Sequence, residues 1–266
     1  NRGFSKHSQG EYDEAILDYN KAIELKQNYS EAYNNRGFSK HSQGKYDEAI
    51  LDYDKAIELK PNDADFYENR ADSKQSIKDY KGAILDYDKA IELKPNDAGF
   101  YKNRADVKQS MKDYKGAILD YDKSIELKPN YSEAYNNRGA CKQYIKDYQE
   151  ALKDYDKSIE LNPDNSGAYN NRGACKQYIK DYQEALKDYD KSIELNPNNP
   201  NTYFNRYTCK SSLLMEIVDK DSEEYKKSFE DAYNDLYTAY NLADEQFKET
   251  IKSQIIIMAK EGNDIA

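Results

Sequence analysis

The chain has 266 residues, of which 38% are hydrophobic and 34% are charged, and its formal net charge is −10. This negative charge disfavours a nucleic-acid backbone as the main partner. No apolar run approaches the length of about 18 residues that a membrane-spanning helix needs, and the sequence shows no signal peptide. We therefore expect a cytoplasmic protein whose partner is neither a nucleic acid nor a membrane.

The dipeptide Asn-Arg returns every 34 residues and divides the chain into repeats. It begins at residues 1, 35, 69, 103, 137, 171 and 205. A constant period of this length is typical of a solenoid, in which one helical unit stacks on the next. Because a solenoid grows by contacts between neighbouring units, the length of the chain does not predict two domains.

Each repeat predicts two helices, and residues 30–63 serve as the reference repeat. The first helix is predicted from about Glu31 to Gln43, with Ser30 as its N-cap. It should end near Gly44, and the second helix should begin near Tyr46. The proline that follows the second helix ends it, because proline lacks an N–H donor and disfavours helical geometry in the residue before it.

The repeats divide the chain into eight segments. Residues 1–29 form a partial first repeat, and full repeats occupy 30–63, 64–97, 98–131, 132–165 and 166–199. An atypical last repeat with a longer first helix occupies 200–243, and a C-terminal capping helix occupies 244–266. Because the chain begins inside a predicted helix and without a methionine, we expect it to be a piece of a longer protein.

In the last repeat the spacing of the helical pattern changes. The segment that begins at Phe229 matches the one that begins at Tyr182, which implies thirteen inserted residues. We predict that the first helix of this repeat lengthens, and that residues 219–222 form the turn to the second helix. The lengthened part is predicted to include Leu213, Leu214, Ile217 and Val218.

A final helix is predicted from Asp244 to Glu261. Its apolar side chains form one stripe, made of Phe247, Ile251, Ile255 and Met258. Such a stripe has two interpretations: it covers the open end of the stack as a cap, or it binds a partner.

Several positions of the reference repeat resemble the tetratricopeptide repeat family, whose repeat also has 34 residues. They are Tyr33, Gly37, Ala49, Tyr53 and Pro61. The resemblance covers nearly the whole chain. It implies an all-α fold, a right-handed α-α superhelix (solenoid) of stacked helix-turn-helix repeats with a C-terminal capping helix. It also implies a protein–protein interaction scaffold.

Three positions depart from the family pattern: Arg36 replaces the usual leucine, Lys40 the usual tyrosine and Tyr33 the usual tryptophan. A buried arginine needs a carboxylate partner, and an aspartate recurs at one place in every second helix. We predict that the two residues pair within each repeat. The pairs are Arg36 with Asp52, Arg70 with Asp86, Arg104 with Asp120, Arg138 with Asp154, and Arg172 with Asp188.

In the family that the chain resembles, the first helices line a concave groove, so their asparagines are candidates for binding a ligand. These form a ladder of Asn35, Asn69, Asn103, Asn137, Asn171 and Asn205. An amide side chain both donates and accepts, so it can bond the backbone of an extended peptide. The alternative is that each asparagine bonds a neighbouring helix.

The predicted groove changes in character along the chain. The first zone is aromatic, with Phe4, Phe38, His7 and His41. The middle zone is acidic, because Asp65, Glu68, Asp72 and Asp106 outweigh Lys102. The last zone is amphipathic, with Gln143, Tyr144, Gln177, Tyr178 and Phe204. This order predicts a partner peptide with a basic segment, bound with micromolar affinity.

Other functions stay open. A co-chaperone-type module would recognise a chaperone tail, but the places where that family clamp uses basic residues hold Glu31, Asp65, Gly99 and Glu133. The chain could also be the non-catalytic repeat arm of a larger enzyme. Weak self-association is a further possibility, because a stack that begins within a repeat leaves an apolar N-terminal end uncovered.

We predict no catalytic residue, no metal and no cofactor within the chain. The sequence has no glycine-rich phosphate loop, no clustered metal ligands and no pair of nucleophile and base. Cys141, Cys175 and Cys209 recur at one place in the first helix. Because stacked helices lie about 8–10 Å apart, too far for a disulfide, we predict that these cysteines are free and buried.

Overall fold

The computed structural model describes residues 2–217, 219 and 222–265, and it describes side chains as far as residue 257. This part of the chain contains fifteen helices. They are α1 (Arg2–Ser8), α2 (Tyr12–Leu25), α3 (Ser30–Ser42), α4 (Tyr46–Leu59), α5 (Ala64–Ser76), α6 (Tyr80–Leu93), α7 (Ala98–Ser110), α8 (Tyr114–Leu127), α9 (Ser132–Tyr144), α10 (Tyr148–Leu161), α11 (Ser166–Tyr178), α12 (Tyr182–Leu195), α13 (Pro200–Leu214), α14 (Glu223–Leu242) and α15 (Glu245–Ile265). None of the helices described here combines the length and the apolar composition of a membrane span.

The helices form two compact units, Asn1–Pro129 with α1–α8 and Asn130–Ala266 with α9–α15. Within each unit, every first helix packs on the second helix of its own repeat, and every second helix packs on the first helix that follows it. The last second helix, α14, packs in the same way on α15. The predicted all-α arrangement of helix-turn-helix repeats with an additional C-terminal helix is confirmed.

The contact inside each repeat before the last one pairs a small residue with a buried tyrosine. In the reference repeat, Ala49, Tyr53 and Ala56 of α4 are fully buried. Gly37 of α3 lies against the tyrosine ring, and a Cβ at this position would come within 2.9 Å of Cε1 of Tyr53. The small residue therefore sets how closely the two helices approach.

The last repeat exchanges the sizes of these two residues. Tyr207 of α13 stands where the reference repeat has Gly37, and Leu236 of α14 stands where it has Tyr53. Both side chains are buried in one hydrophobic cluster. Because a large residue on one helix faces a smaller one on the other, the exchange keeps the core filled.

The turn between the two helices of a repeat requires a left-handed residue. Gly10 has a φ of 80° and Gly44 a φ of 76°. Lysines occupy this place in the next four repeats, with φ between 63° and 66°; they are Lys78, Lys112, Lys146 and Lys180. An L-residue in this region has a conformational cost that glycine avoids.

The prediction that Ser30 is an N-cap is wrong. Ser30 is the first residue of α3, and Tyr29 before it makes no capping bond. The Ser30 hydroxyl donates instead to Oε2 of Glu31 at 3.1 Å. Repeats with an acidic or amide residue before the first helix do form a cap, as where Oδ1 of Asp63 accepts the N–H of Asp65 at 3.3 Å.

The first helix of the last repeat is longer than the one before it, with 15 residues against 13, but the predicted extent is wrong, because the insertion lengthens mainly the second helix, with 20 residues against 14. Helix α13 ends at Leu214, so Ile217 lies beyond it, and Val218 lies outside the described residues. Helix α14 begins at Glu223, six residues earlier than its equivalent in the preceding repeat. The hydroxyl of Ser222 caps it by accepting the N–H of Tyr225 at 3.2 Å. Of the predicted turn at 219–222, residues 220 and 221 are outside the described part.

The final helix runs from Glu245 to Ile265, further than predicted, and Oδ1 of Asp244 accepts the N–H of Phe247 at its start. Ile251 is fully buried in the cluster that holds Tyr207 and Leu236, and Phe247 and Ile255 pack against this cluster. The side chain of Met258 lies outside the described residues. Of the two interpretations of the stripe, this packing favours the cap.

Candidate functional site

The arginines of the repeated dipeptide bind carboxylates of the second helices. In the first unit, Nε and Nη2 of Arg70 lie 2.9 and 2.6 Å from the two oxygens of Asp86. Nζ of Lys74 lies 2.8 Å from the same carboxylate, and the guanidinium lies over the ring of Tyr67. The same bidentate pair joins Arg36 to Asp52, Arg104 to Asp120, Arg138 to Asp154, Arg172 to Asp188, and Arg206 to Asp235.

Each of several arginines also reaches the second helix of the preceding repeat. Nη1 of Arg70 donates to Oδ1 of Asp54 at 2.6 Å, so a single guanidinium connects α4 with α6. Equivalent bonds join Arg36 to Asn20, Arg104 to Asp88, Arg172 to Asp156, and Arg206 to Asp190. Sequence reasoning missed these acceptors, although they recur two residues after each paired aspartate.

Four asparagines of the ladder donate a hydrogen bond to the preceding first helix. Nδ2 of Asn69 lies 3.0 Å from Oδ1 of Asn34, and Nδ2 of Asn103 lies 3.1 Å from Oε1 of Glu68. In the second unit, Asn171 donates to Asn136 and Asn205 donates to Asn170. Asn137 accepts from Asn136, and Asn35 borders a cavity beside α1 and α2. All six are half-buried, and each of the four bonds uses one of the amide's two N–H groups.

The two histidines of the aromatic zone in the first unit pack between repeats, whereas Phe4 and Phe38 remain 62% and 43% exposed. The ring of His7 stacks on Phe38 with a centroid distance of 4.6 Å. Nδ1 of His41 lies 2.8 Å from the hydroxyl of Ser73 on the next first helix, and its ring contacts Tyr46. Burial lowers the pKa of both histidines. They therefore contribute contacts between helices and little positive charge at neutral pH.

The acidic zone of the first unit is compensated within the chain. Asp72 accepts the hydroxyl of the buried Tyr87, and burial raises its pKa. Nζ of Lys102 lies 3.0 Å from Oδ2 of Asp106. Burial and the neighbouring carboxylates raise the pKa of Glu68 to about 7. The zone is thus less negative at neutral pH than its sequence indicates.

The amphipathic zone of the second unit exposes two tyrosines. Tyr144 and Tyr178 end α9 and α11, and their side chains are 65% and 66% exposed. The ring of Tyr178 stacks on Tyr148 with a centroid distance of 5.6 Å. Phe204 does not join them, because it packs against Phe247 of α15.

A cavity of about 360 Å³ opens beside Tyr178, between α11 and α13. Asn205, Thr208 and Ser212 of α13 supply polar groups to its wall. Oε1 of Gln177 accepts the hydroxyl of the buried Tyr189 at 2.8 Å. The cavity thus combines an exposed ring with several hydrogen-bonding groups.

The three cysteines form no disulfide and are fully buried. Burial raises the pKa of the Cys175 and Cys209 thiols to about 11. In the described part of the chain, no group of three or more His, Cys, Asp or Glu side chains is arranged to hold a metal ion.

Family models match most of the chain. Models described as tetratricopeptide repeat match residues 30–63, 132–165 and 166–199, and also 64–97 and 98–131. A further model described as TPR repeat matches residues 5–43. No curated protein matches the chain.

Solved structures show the same fold. The crystal structure of MamA is 27% identical, covers 60% of this chain and 94% of its own, and has a TM-score of 0.57. The crystal structure of YrrB, described as a TPR protein with an unusual peptide-binding site, is 26% identical, covers 67% of this chain and 92% of its own, and has a TM-score of 0.55. A tetratricopeptide repeat protein from Parabacteroides merdae ATCC 43184 is 19% identical over 97% of this chain and 96% of its own, with a TM-score of 0.73. The chain belongs to the tetratricopeptide repeat family.

Proposed function

We propose that the second unit binds an extended segment of a partner protein across the first helices α9, α11 and α13. Proteins of this family are generally scaffolds for protein–protein interaction, and typically are not catalysts. YrrB, a solved member, is described as having a peptide-binding site. The observation that carries the proposal is the cavity beside Tyr178, which is large enough to admit side chains of a partner.

The residues around this cavity suit a peptide. Tyr178 offers an exposed ring that is already held by its stack on Tyr148, so binding sacrifices little conformational freedom. Asn171 and Asn205 each direct one N–H to the preceding helix. An amide has a second N–H and an oxygen acceptor, which we assign to the backbone of the peptide.

In the first unit, we propose that Asn35, Asn69 and Asn103 act in the same way beside the acidic zone. A basic segment of the partner would lie near Glu68, because a cation stabilises the ionised form of a carboxyl group whose pKa is raised to about 7. Binding of a basic peptide should therefore strengthen as the pH rises through 7. The change Glu68→Gln should remove this pH dependence.

A peptide array probed with the whole chain tests the proposal. Peptides that bind are then titrated against the wild type, Tyr178→Ala and Asn205→Ala by fluorescence anisotropy. Loss of a central tyrosine contact should weaken binding about tenfold or more. Tyr237→Ala is the matched control, because Tyr237 is also exposed, at 52%, but lies on the second helix α14.

The controls separate binding from folding. Asn205→Ala also removes a bond between helices, which should lower the free energy of unfolding by about 0.5–1.5 kcal/mol. Its effect on affinity is therefore read at a temperature where circular dichroism shows a folded chain. Equal affinities of the wild type and Tyr178→Ala for the peptide would show that the peptide does not bind at this cavity.

A further inference from the structure

A row of exposed leucines marks the second helices of the first unit. Leu17, Leu51, Leu85 and Leu119 occupy one place in α2, α4, α6 and α8, and their side chains are 58%, 67%, 69% and 69% exposed. Single exposed leucines are common on protein surfaces. Four at the same place in consecutive repeats form a row, which we name the leucine stripe.

Arginines of the first helices connect successive helices of the leucine stripe, and we call these connections the arginine bridges. Arg36 connects α2 with α4 through Asn20 and Asp52, because it bonds both. Arg70 and Arg104 connect α4 with α6 and α6 with α8 in the same way. Each leucine directly precedes the aspartate that its own repeat pairs with arginine, so the four leucines follow one another across the unit.

The second unit places polar residues at the same position. Lys153 of α10 and Lys187 of α12 stand there, each bonded to a glutamate one turn earlier, and Asn234 stands there in α14. Both lysines are exposed at 71%. The fold therefore accepts a polar side chain at this position, and leucine is not needed there for stability.

Acidic residues flank the leucine stripe. Acidic side chains outnumber lysines on all four helices: α2 and α4 carry four and five against one lysine each, and α6 and α8 carry three against two. Asp54 lies three residues after Leu51 and remains half exposed in its bond to Arg70. An apolar row in acidic surroundings repels a second copy of itself and an anionic membrane, whereas it attracts a basic partner.

We propose that the leucine stripe binds a basic amphipathic helix of a partner protein. Helices with their side chains are about 10–12 Å wide, and seven residues of a helix rise about 10.5 Å. A partner helix with an apolar residue at every seventh position could therefore meet successive leucines, and about 22 residues would span all four. This surface lies on the second helices, so it is independent of the peptide site proposed on the first helices.

The test uses a labelled 22-residue peptide of leucine and lysine, with leucine along one face at heptad spacing, and a second peptide in which glutamate replaces lysine. The variant Leu17→Asn, Leu51→Asn, Leu85→Asn and Leu119→Asn adopts the residue that the chain itself has at position 234. Lys153→Asn with Lys187→Asn is the matched control. Fluorescence anisotropy should give micromolar binding of the lysine peptide to the wild type and to the control variant.

The fourfold leucine variant should bind the lysine peptide at least tenfold more weakly while its melting temperature stays within a few degrees of the wild type. The glutamate peptide should not bind. The proposal is overturned if the leucine variant keeps its affinity, or if the wild type binds neither peptide. It is also overturned if the wild type dimerises in sedimentation runs, or adsorbs to phosphatidylglycerol vesicles, and the leucine variant does not.

Discussion

Replacing Asp86 by alanine should lower the free energy of unfolding by about 3–5 kcal/mol. The Asp86 side chain is 5% exposed, and its carboxylate accepts two N–H groups of Arg70 and the ammonium group of Lys74. The side chains of these two cations are themselves only 17% and 19% exposed. Alanine at position 86 would leave both without their main counter-charge in a site where water compensates poorly.

Two comparison variants test whether the loss in Asp86→Ala comes from the buried ion pair. Asp54 bonds the same guanidinium at 2.6 Å, but its side chain is 50% exposed, so Asp54→Ala should cost only about 0–1 kcal/mol. The double variant Arg70→Leu with Asp86→Ala should recover only part of the loss, because Lys74 still lacks its counter-charge. It removes the unpaired guanidinium and restores the leucine that is usual in the family, and well-packed apolar residues can replace a buried ion pair.

The assay is urea unfolding followed by far-ultraviolet circular dichroism at constant pH. Because a stack of repeats can unfold in parts, the three variants are compared only if the slope of the free energy with urea is unchanged. An effect of Asp86→Ala below about 1 kcal/mol, or no larger than that of Asp54→Ala, would refute the assignment of the pair as a buried link between the helices.

Three further predictions concern single positions. Lys78→Gly should raise the free energy of unfolding by about 0.5–1 kcal/mol, because the φ of 64° at Lys78 strains an L-residue. Gly44→Lys should lower it by a similar amount, and thermal unfolding of both variants measures the two changes. Tyr207→Gly should destabilise the last repeat by leaving a cavity, and Leu236→Tyr should destabilise it by overpacking the same cluster. The double variant should recover stability, which a double-mutant cycle measures. Glu68 has a pKa of about 7 in the folded chain, above its unfolded value, so the folded chain binds more protons than the unfolded chain between these two values. The free energy of unfolding should therefore fall as the pH rises from about 4.5 to 7. An equal dependence of the melting temperature on pH in the wild type and in Glu68→Gln would contradict this.

The paired-helix fold could be predicted because its signal repeats. The period of 34 residues places every helix pair, and even the isolated Arg36 and Asp52 become recognisable as partners once both recur in each repeat. The end of α13 could not be placed in this way. The inserted residues after Leu214 have no equivalent in the other repeats, so only local propensity was left to locate the helix boundary.

Contacts between repeats were harder to predict than contacts within them. The bond from Arg70 to Asp54 joins residues 16 positions apart in the direction opposite to the predicted pair, and only the stacked helices bring them together. The bond from Asn69 to Asn34 depends on stacking in the same way. The sequence also does not show that Asp72 is buried, and burial raises the pKa of its carboxyl group.

The arginine bridges explain why the first helices can vary. Arg70 supplies five N–H donors in a fixed plane, and it uses them to join its own second helix to the preceding one. A leucine in the same place offers no such directional link. With the repeats held by residues that recur, the position two residues after each arginine changes freely from Phe38 to Asp72 to Ala140. Variation of this kind on a constant frame lets one fold present a different surface in each repeat, and the proposed recognition of a partner by the first helices depends on this variation.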